Sequence, residues 1–413
     1  MTMALVSGDI APAYQSGFYV LAFFVFVIGS CIGSFLNVCI WRIPNKMSII
    51  TPGSHCPKCQ HVLSWYENIP VLAWLVLGRK CRQCRGPISI RYPLVEALVG
   101  LLFLIFWLRS WHQGWTIAWF LVVCYLISTL VAVSFVDYEH EIIPDEFTAV
   151  GCIIAVLVAI ILPGTHADAG SAAGWITRDV ADLLSGVSPA VYSPRVWAGI
   201  DVILGVSLGG GTFWLLGKVG KLLFGRKRHR LDPVTCVALT ASSLRVGDDQ
   251  YEWDELFCWD TDEVEIRGII TTAELRGGAK RQVFKTRDDL TTVIVTCETI
   301  RIEGDEVPLS RVHELVLEAT EWTQPREAVG LGDVKLLVML GAFLGPTAIV
   351  FIIGLASILG TVVGALAGVI QVLRSGRWLG LVRFGPFLAF ATIVYLLRGT
   401  EWMNIFKWRV LMG

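Results

Sequence analysis

"YVLAFFVFVIGSCIGSFLNVCIW", residues 19–41, contains 23 consecutive positions without an Asp, Glu, Lys or Arg. A helix of about 20 apolar residues crosses a hydrocarbon layer about 30 Å thick, so this stretch predicts a transmembrane helix. The chain as a whole agrees. It is 54% hydrophobic, with 16 tryptophans in 413 residues and a mean hydropathy of +0.62, more apolar than a soluble domain can hide.

Seven further runs have the same character: Pro93 to Leu108, Trp115 to Val136, Phe147 to Leu162, Trp197 to Phe224, Val334 to Leu344, Pro346 to Leu373 and Phe384 to Leu397. The sixth of the eight is the shortest. No basic residue precedes Arg42, so the first run lacks the positive flank of a cleaved signal peptide and reads as a retained anchor.

Between Arg42 and Arg91 there are eight basic residues and one acid, Glu67, which places this loop in the cytoplasm by the positive-inside rule and the N-terminus outside. Counting spans forward puts Asp137, the segment 225–330 and Arg374 to Arg383 on the same inner side. The segment 163–195, poor in basic residues, falls outside.

The net charge of −1 hides a division. Residues 231–327 hold 21 of the 35 acids but only 10 of the 34 bases, the mark of a soluble module inserted into a basic membrane protein. Here "SSLRVG", "TTVIVTC" and "ETIRIEG" alternate apolar and polar residues with β-branched content, as half-buried strands do. "TASSLRVGDD" at 240 and "TCETIRIEGD" at 296 resemble each other, which raises an internal duplication without deciding it. The acidity excludes nucleic acid as a partner bound through charge and leaves docking of a basic cytoplasmic partner or an inert solvated surface. Cys236, Cys258 and Cys297 lack ligand spacing and read as packed thiols, as do Cys31, Cys39, Cys124 and Cys152 in the apolar runs.

The expected fold class is a polytopic α-helical membrane protein of about eight transmembrane helices, with a cytoplasmic zinc-ribbon loop and an inserted β-rich soluble domain. The divisions fall at 1–41 (first helix), 42–92 (four-cysteine loop), 93–224 (helices two to five), 225–328 (acidic insert) and 329–413 (last three helices).

Two groups of residues carry chemistry. Cys56-Pro-Lys-Cys59 and Cys81-Arg-Gln-Cys84 are separated by 21 residues, the spacing of a closed four-thiolate zinc site in which no position is left for water. A disulfide pair suits the reducing cytoplasm poorly, and a redox CxxC does not explain two copies. Such a metal folds a loop too short for its own core.

The second group is acidic. Asp137 ends the third span and Asp333, in "VGLGDVKLL" (329–337), opens the sixth, so topology brings both to one membrane face. Paired carboxylates in a partly dry site share a proton, and one can activate water while the other donates to a carbonyl. Gly330 and Gly332 permit close backbone approach to a substrate strand and unusual backbone angles. Asp145, Glu139 and Glu141 compete for the partner role or form a solvated loop. Asp145, after Pro144, is also placed to cap the fourth helix. Lys335 either offsets the local negative charge or snorkels to the headgroups.

In order along the chain, "GSFLNVCIWRIP" (33–44), the two CxxC pairs around "YENIPVLAWL" (66–75), "RYPLVEAL" (91–98), "DYEHEIIPD" (137–145), "GLGDVKLL" (330–337) and "FGPFLA" (384–389) resemble the type IV prepilin peptidases. The resemblance implies a multi-pass aspartic peptidase of the bacterial inner membrane that removes the basic leader of prepilins and pseudopilins at the cytoplasmic face. It implies that Asp137 and Asp333 are catalytic. Many members also methylate the new N-terminus with S-adenosylmethionine and associate that activity with the cysteine loop. This chain departs from the pattern before the third cysteine, having Gly78-Arg79-Lys80-Cys81 where a glycine and a basic residue usually stand together, so Gly78 and Lys80 are the corresponding methyl-transfer candidates. The rival readings are a peptidase without methylation, a proton-coupled transporter and a non-catalytic assembly scaffold. A transporter predicts carboxylates near the bilayer midplane, whereas these cluster at one face.

Overall fold

The computed structural model describes residues 12–163, 193–224, 226–257, 262–275, 290–302, 305–325, 330–375, 383–399 and 401–402. Residues 164–192 of the expected outer segment lie outside the described residues, as do Gly225, Cys258, Val329 and Arg377. The chain divides into two compact units, Met1–Phe213 with Leu331–Gly413, and Trp214–Gly330.

The first unit is helical. Its helices are α1 (Pro12–Arg42), the short α2 (Leu72–Val76), α3 (Arg91–Gln113), α4 (Ile117–His140), α5 (Asp145–Ile161), α6 (Pro194–Phe224, which runs on into the second unit), α7 (Leu331–Ser375) and α8 (Gly385–Val394). All eight apolar runs are helical. Five helices, α1, α3, α4, α6 and α7, are long and apolar enough to cross a membrane, and a shorter apolar stretch covers Gly385–Gly399. The sixth and seventh expected spans are the two parts of α7, which breaks at Gly345 (φ 74°, ψ 177°) before Pro346. The residue before proline is pushed out of helical geometry, and only glycine takes the positive φ freely.

Helices in lipid gain little from burying apolar surface against one another, so close packing of small residues brings them together. A side-chain carbon at Gly33 of α1 would lie 2.7 Å from the Glu96 Cα of α3, and one at Gly29 would lie 2.9 Å from the Phe103 Cβ. Gly209 of α6 is as tight against the Leu337 carbonyl of α7, at 2.7 Å, and a Cβ at Gly341 of α7 would meet the backbone of Gly205. Capping agrees with local sequence: Thr116 accepts from the Trp119 N–H at 3.2 Å to start α4, and Gly114 ends α3 in left-handed geometry.

The second unit contains an eight-stranded antiparallel sheet in the order β3-β2-β1-β8-β4-β5-β6-β7. Its strands are β1 (Arg226–Leu239), β2 (Ser243–Val246), β3 (Asp249–Glu252), β4 (Val264–Leu275), β5 (Thr291–Val295), β6 (Thr299–Ile302), β7 (Asp305–Pro308) and β8 (Val312–Pro325). The order is symmetric about the β8–β4 junction, relating β1-β2-β3 to β5-β6-β7. The turns correspond as well. The Thr240 N–H bonds the Ser243 carbonyl at 2.9 Å and the Thr296 N–H bonds the Thr299 carbonyl at 2.8 Å, each with its threonine hydroxyl turned to the same acceptor. The resemblance between 240 and 296 is therefore a structural duplication, with the last strand of each repeat paired to the first strand of the other.

Leu239, Leu244, Ile266, Val293, Ile300 and Leu317, from six strands, form one buried cluster with Trp253 and Trp322, which is the core of this unit. The edge strands β3 and β7 are four residues each and carry Asp249, Glu252, Asp305, Glu306 and Pro308, which discourage pairing with further strands.

The reading of the scattered cysteines as packed needs correction. Cys39 and Cys124 are buried, but Cys31, Cys236 and Cys297 are exposed; an apolar or alternating run does not say which face of its helix or strand a thiol occupies.

Glycine packing yields a test. Gly341→Leu forces a side chain into the Gly205 backbone and should destabilise by more than the roughly 1–3 kcal/mol of ordinary overpacking. Gly354→Leu, on the same helix with nothing within 4 Å of its Cβ position, should leave thermal unfolding in detergent unchanged.

Candidate active site and four-cysteine cluster

Asp137 lies in the last turn of α4, buried at 8% exposure. The helix ends at Glu141, whose left-handed backbone (φ 59°) turns its N–H to the Asp137 carbonyl at 3.0 Å. The chain then passes through the buried Pro144, which starts α5 as its N-cap. Asp333 occupies the first turn of α7, where the helix dipole accommodates an acidic side chain. The two aspartates, 196 positions apart in sequence, are close enough for their charges to act on each other.

A third helix end completes the arrangement. A Cβ at Gly385, the first residue of α8, would stand 2.5 Å from the Asp137 Oδ2. The Gly385 N–H faces that carboxylate without closing a full hydrogen bond, since Oδ2 has no hydrogen-bond partner among the described residues. Arg383 donates to the Tyr138 carbonyl and to the Glu141 Oε1 at 2.7 Å, stacks over the Tyr138 ring, and adds its positive field at Asp137.

The surrounding acids are paired. Lys335 donates to the Asp145 Oδ1 at 2.6 Å, so this lysine neutralises local charge, contrary to snorkelling alone. Asp145 is the first residue of α5, and the cap position belongs to Pro144. Glu139 pairs with Arg91 and Glu141 with Arg383, which removes both from competition with Asp137 and Asp333. Gly332 lies in the first turn of α7 and has no positive φ. Gly332 is helical, and its small size lets the first turn of α7 settle on Ile143, whose Cβ would be 2.9 Å from an added methyl. Arg383 entered the sequence reading only as an orientation charge; its place just before "FGPFLA" was the available signal.

In the loop after α1, the four sulfurs of Cys56, Cys59, Cys81 and Cys84 all lie within 4.8 Å of one another, with Cys56–Cys84 and Cys59–Cys81 each at 3.9 Å. Four thiolates about 2.3 Å from one tetrahedral ion would be about 3.8 Å apart, so the residues fit a four-coordinate metal. The two CxxC turns are near copies. In each, the residue after the second cysteine is left-handed, Gln60 (φ 57°) and Arg85 (φ 56°). In each, the first cysteine N–H bonds a carbonyl five residues on, His61 at 2.9 Å and Gly86 at 2.8 Å, and the hairpin is closed by the bridges His55–Val62 and Lys80–Pro87. The Cys59 N–H aimed at the Cys56 sulfur draws that thiol down to about 7 and the Cys84 and Gln83 amides lower Cys81, whereas burial and the neighbouring thiols push Cys59 up to about 11, so the crowded sulfurs do not all ionise alike without a cation among them. Gly78 is left-handed (φ 61°) and exposed, one residue from the exposed pair Arg79 and Lys80.

Beneath the first turn, the buried Glu67 accepts from the Ser64 N–H at 2.9 Å and contacts the His61 Nε2 at 3.1 Å. The Ser64 amide holds its carboxyl below the usual range.

Comparison with known proteins gives two family matches: the bacterial peptidase A24 N-terminal domain over residues 27–110 and the type IV leader peptidase family over residues 317–365. A prepilin leader peptidase/N-methyltransferase of Myxococcus xanthus (strain DK1622) is 39% identical over 228 residues, 55% of this chain and 61% of that protein. A type 4 prepilin-like proteins leader peptide-processing enzyme of Escherichia coli O78:H11 is 40% identical over 161 residues, 34% and 56% of the two chains. A prepilin leader peptidase/N-methyltransferase of Aeromonas salmonicida (strain A449) is 32% identical over 252 residues, 51% of this chain and 84% of that protein. The chain thus spans less than two thirds of the first two relatives and more than four fifths of the third. No solved structure gives a significant match.

The Lys335–Asp145 pair is exposed on both sides, so a double-mutant cycle with Lys335→Met and Asp145→Asn should return a coupling of at most about 1 kcal/mol. A larger value in thermal or denaturant unfolding would mean that the pair is shielded from water in the membrane.

Proposed function

Because the chain belongs to the type IV leader peptidase family, we propose that it is a membrane aspartic endopeptidase that removes the leader of type IV prepilins and pseudopilins and methylates the new N-terminus. The observation that carries the reading is that Asp137, at the end of α4, and Asp333, at the start of α7, lie within range of each other's charge.

In the proposed mechanism, Asp137 has the polar neighbours a carboxylate needs, the Gly385 amide and Arg383, and acts as the base that takes a proton from water. Asp333 donates a proton to the scissile carbonyl oxygen as water attacks the amide carbon, giving a gem-diol; the C–N bond then breaks as the proton on Asp137 passes to the leaving nitrogen and a diol hydroxyl returns its proton to Asp333, leaving a carboxylic acid and a free amine. Gly385 leaves room over Asp137 for the substrate backbone. Gly330, Gly332, Pro144, Asp145 and Lys335 support the site by fixing where α5 and α7 begin.

The proposed topology has eight crossings: α1, α3, α4, α5, α6, the two parts of α7, and α8 with its continuation to Gly399. The positive-inside rule then sets the four-cysteine loop and both aspartates on the cytoplasmic side of the bacterial inner membrane. A prepilin with its apolar helix in the bilayer and its basic leader in the cytoplasm would present its scissile bond at that level. The cysteine cluster is proposed to hold a structural zinc ion. S-adenosylmethionine is the proposed methyl donor, with Gly78 and Lys80 as the residues of the loop assigned to that step.

Asp137→Asn and Asp333→Asn should each abolish prepilin cleavage in a purified detergent or nanodisc assay while leaving the unfolding temperature near that of the parent; full activity in either variant would refute the pair. With S-adenosylmethionine added, intact-mass analysis of the mature product should show one added methyl group. Metal analysis of purified protein should give one zinc per chain, lost in Cys81→Ser together with the folded loop.

A further inference from the structure

The four-cysteine lobe enters from the end of α1 at Arg42 and leaves at the start of α3 at Arg91, both at one end of membrane-crossing candidates. One contact fixes how deep it sits. The Val71 N–H donates to the Glu96 Oε2 at 2.7 Å. Glu96 is five residues into α3, about 7 Å below its first residue at 1.5 Å per residue. The same glutamate also meets α1. The Glu96 Cα packs on Gly33, nine residues before the end of α1, and the Ser34 side chain stands beside the Glu96 carboxylate. Val71 is thus tied to the first turns of α3, at the seam between α3 and α1.

Val71 is held with φ 62°, a conformation that a β-branched residue rarely takes, and it immediately precedes α2. α2 buries Ala73 and ties the Trp74 indole to the Ile88 carbonyl at 3.2 Å. Leu72, Leu75 and Val76, at helical spacings of three and four, are 58%, 58% and 85% exposed. The exposed Arg79, Lys80, Arg82 and Arg85 follow directly, and Arg79 and Arg82 are braced over the Trp74 and Tyr66 rings.

We propose that the four-cysteine lobe is seated in the membrane surface rather than held free above it, with Leu72, Leu75 and Val76 of α2 immersed at the boundary of headgroups and acyl chains and the basic residues that follow set against anionic headgroups. An apolar helix face beside basic side chains is the composition such a boundary selects. The inference rests on α1 and α3 crossing a membrane and not on the assignment of peptidase or methyl-transfer chemistry. Its consequence for the chain is that the lobe is fixed in height relative to the bilayer by Glu96.

The test uses the full chain in nanodiscs of phosphatidylethanolamine and phosphatidylglycerol. The photoreactive substitutions Leu75→p-benzoylphenylalanine and Val76→p-benzoylphenylalanine are made separately, with Phe24→p-benzoylphenylalanine, on an exposed position of α1, as the lipid-facing reference. After irradiation, mass spectrometry reads lipid adducts. Yields at 75 and 76 close to that at 24, and several-fold above the unirradiated sample, are expected. Background yields at both positions while position 24 labels would overturn the proposal. So would lipid adducts that give way to prepilin adducts when substrate is added, since that outcome makes the face a protein-docking surface.

Discussion

Three helix ends must arrive at one point for this chain to have a site, and the spacing of its helices decides whether they do. Asp137 closes α4, Asp333 opens α7, and Gly385 opens α8 over the Asp137 carboxylate. Lipid supplies no hydrophobic force to hold such an arrangement, so helix separation is set by side-chain size at the contacts. Gly151 receives Met339, Gly209 lies against the Leu337 carbonyl, and Gly332 lies against Ile143. These contacts fix the position of the first half of α7, and with it the position of Asp333 relative to α4. Arg383, Lys335 and Arg91 then hold the intervening acids in pairs, apart from Asp137 and Asp333, whose charges act on each other.

What could be read in the sequence depended on how local the physics was. Apolar runs mark helices wherever they lie, and all eight were legible for that reason. The break in α7 was legible because Gly345-Pro346 is itself a two-residue instruction. The CxxC turns were legible because spacing, left-handed residue and hairpin bridge all lie within eight residues. Features set by distant partners were not. Lys335 and Asp145 are 190 positions apart, and nothing near either residue distinguishes a paired lysine from a snorkelling one. Gly332 packs against Ile143, a residue of the α4–α5 connection, a contact that its own neighbours in sequence do not announce. The exposed Cys31, Cys236 and Cys297 show the same limit, since an apolar neighbourhood in sequence leaves the facing direction open.

The cysteine lobe stores its order in backbone geometry as much as in side chains. Six non-glycine residues among those described have positive φ, and five of them, Lys46, Gln60, Val71, Arg79 and Arg85, fall between Arg42 and Arg91. A stretch of that size with little core of its own has to be held in such conformations by specific bonds. Those bonds are visible: Arg42 to the Ser48 and Pro52 carbonyls at 3.0 and 2.7 Å, Glu67 to Ser64, and Glu96 to Val71. Both anchoring carboxylates sit in the motifs "YENIP" and "RYPLVEAL", which connects those stretches to the shape of the lobe.

The acidic sheet begins and ends on neighbouring strands. Arg226 is directly opposite Pro325 in the β1–β8 ladder, so an excursion of about one hundred residues returns the polypeptide to within a single strand spacing, about 5 Å, of where it departed. A sheet built this way is stapled shut by its own outermost rungs: the length of polypeptide between Arg226 and Pro325 can change while those two residues stay opposite each other.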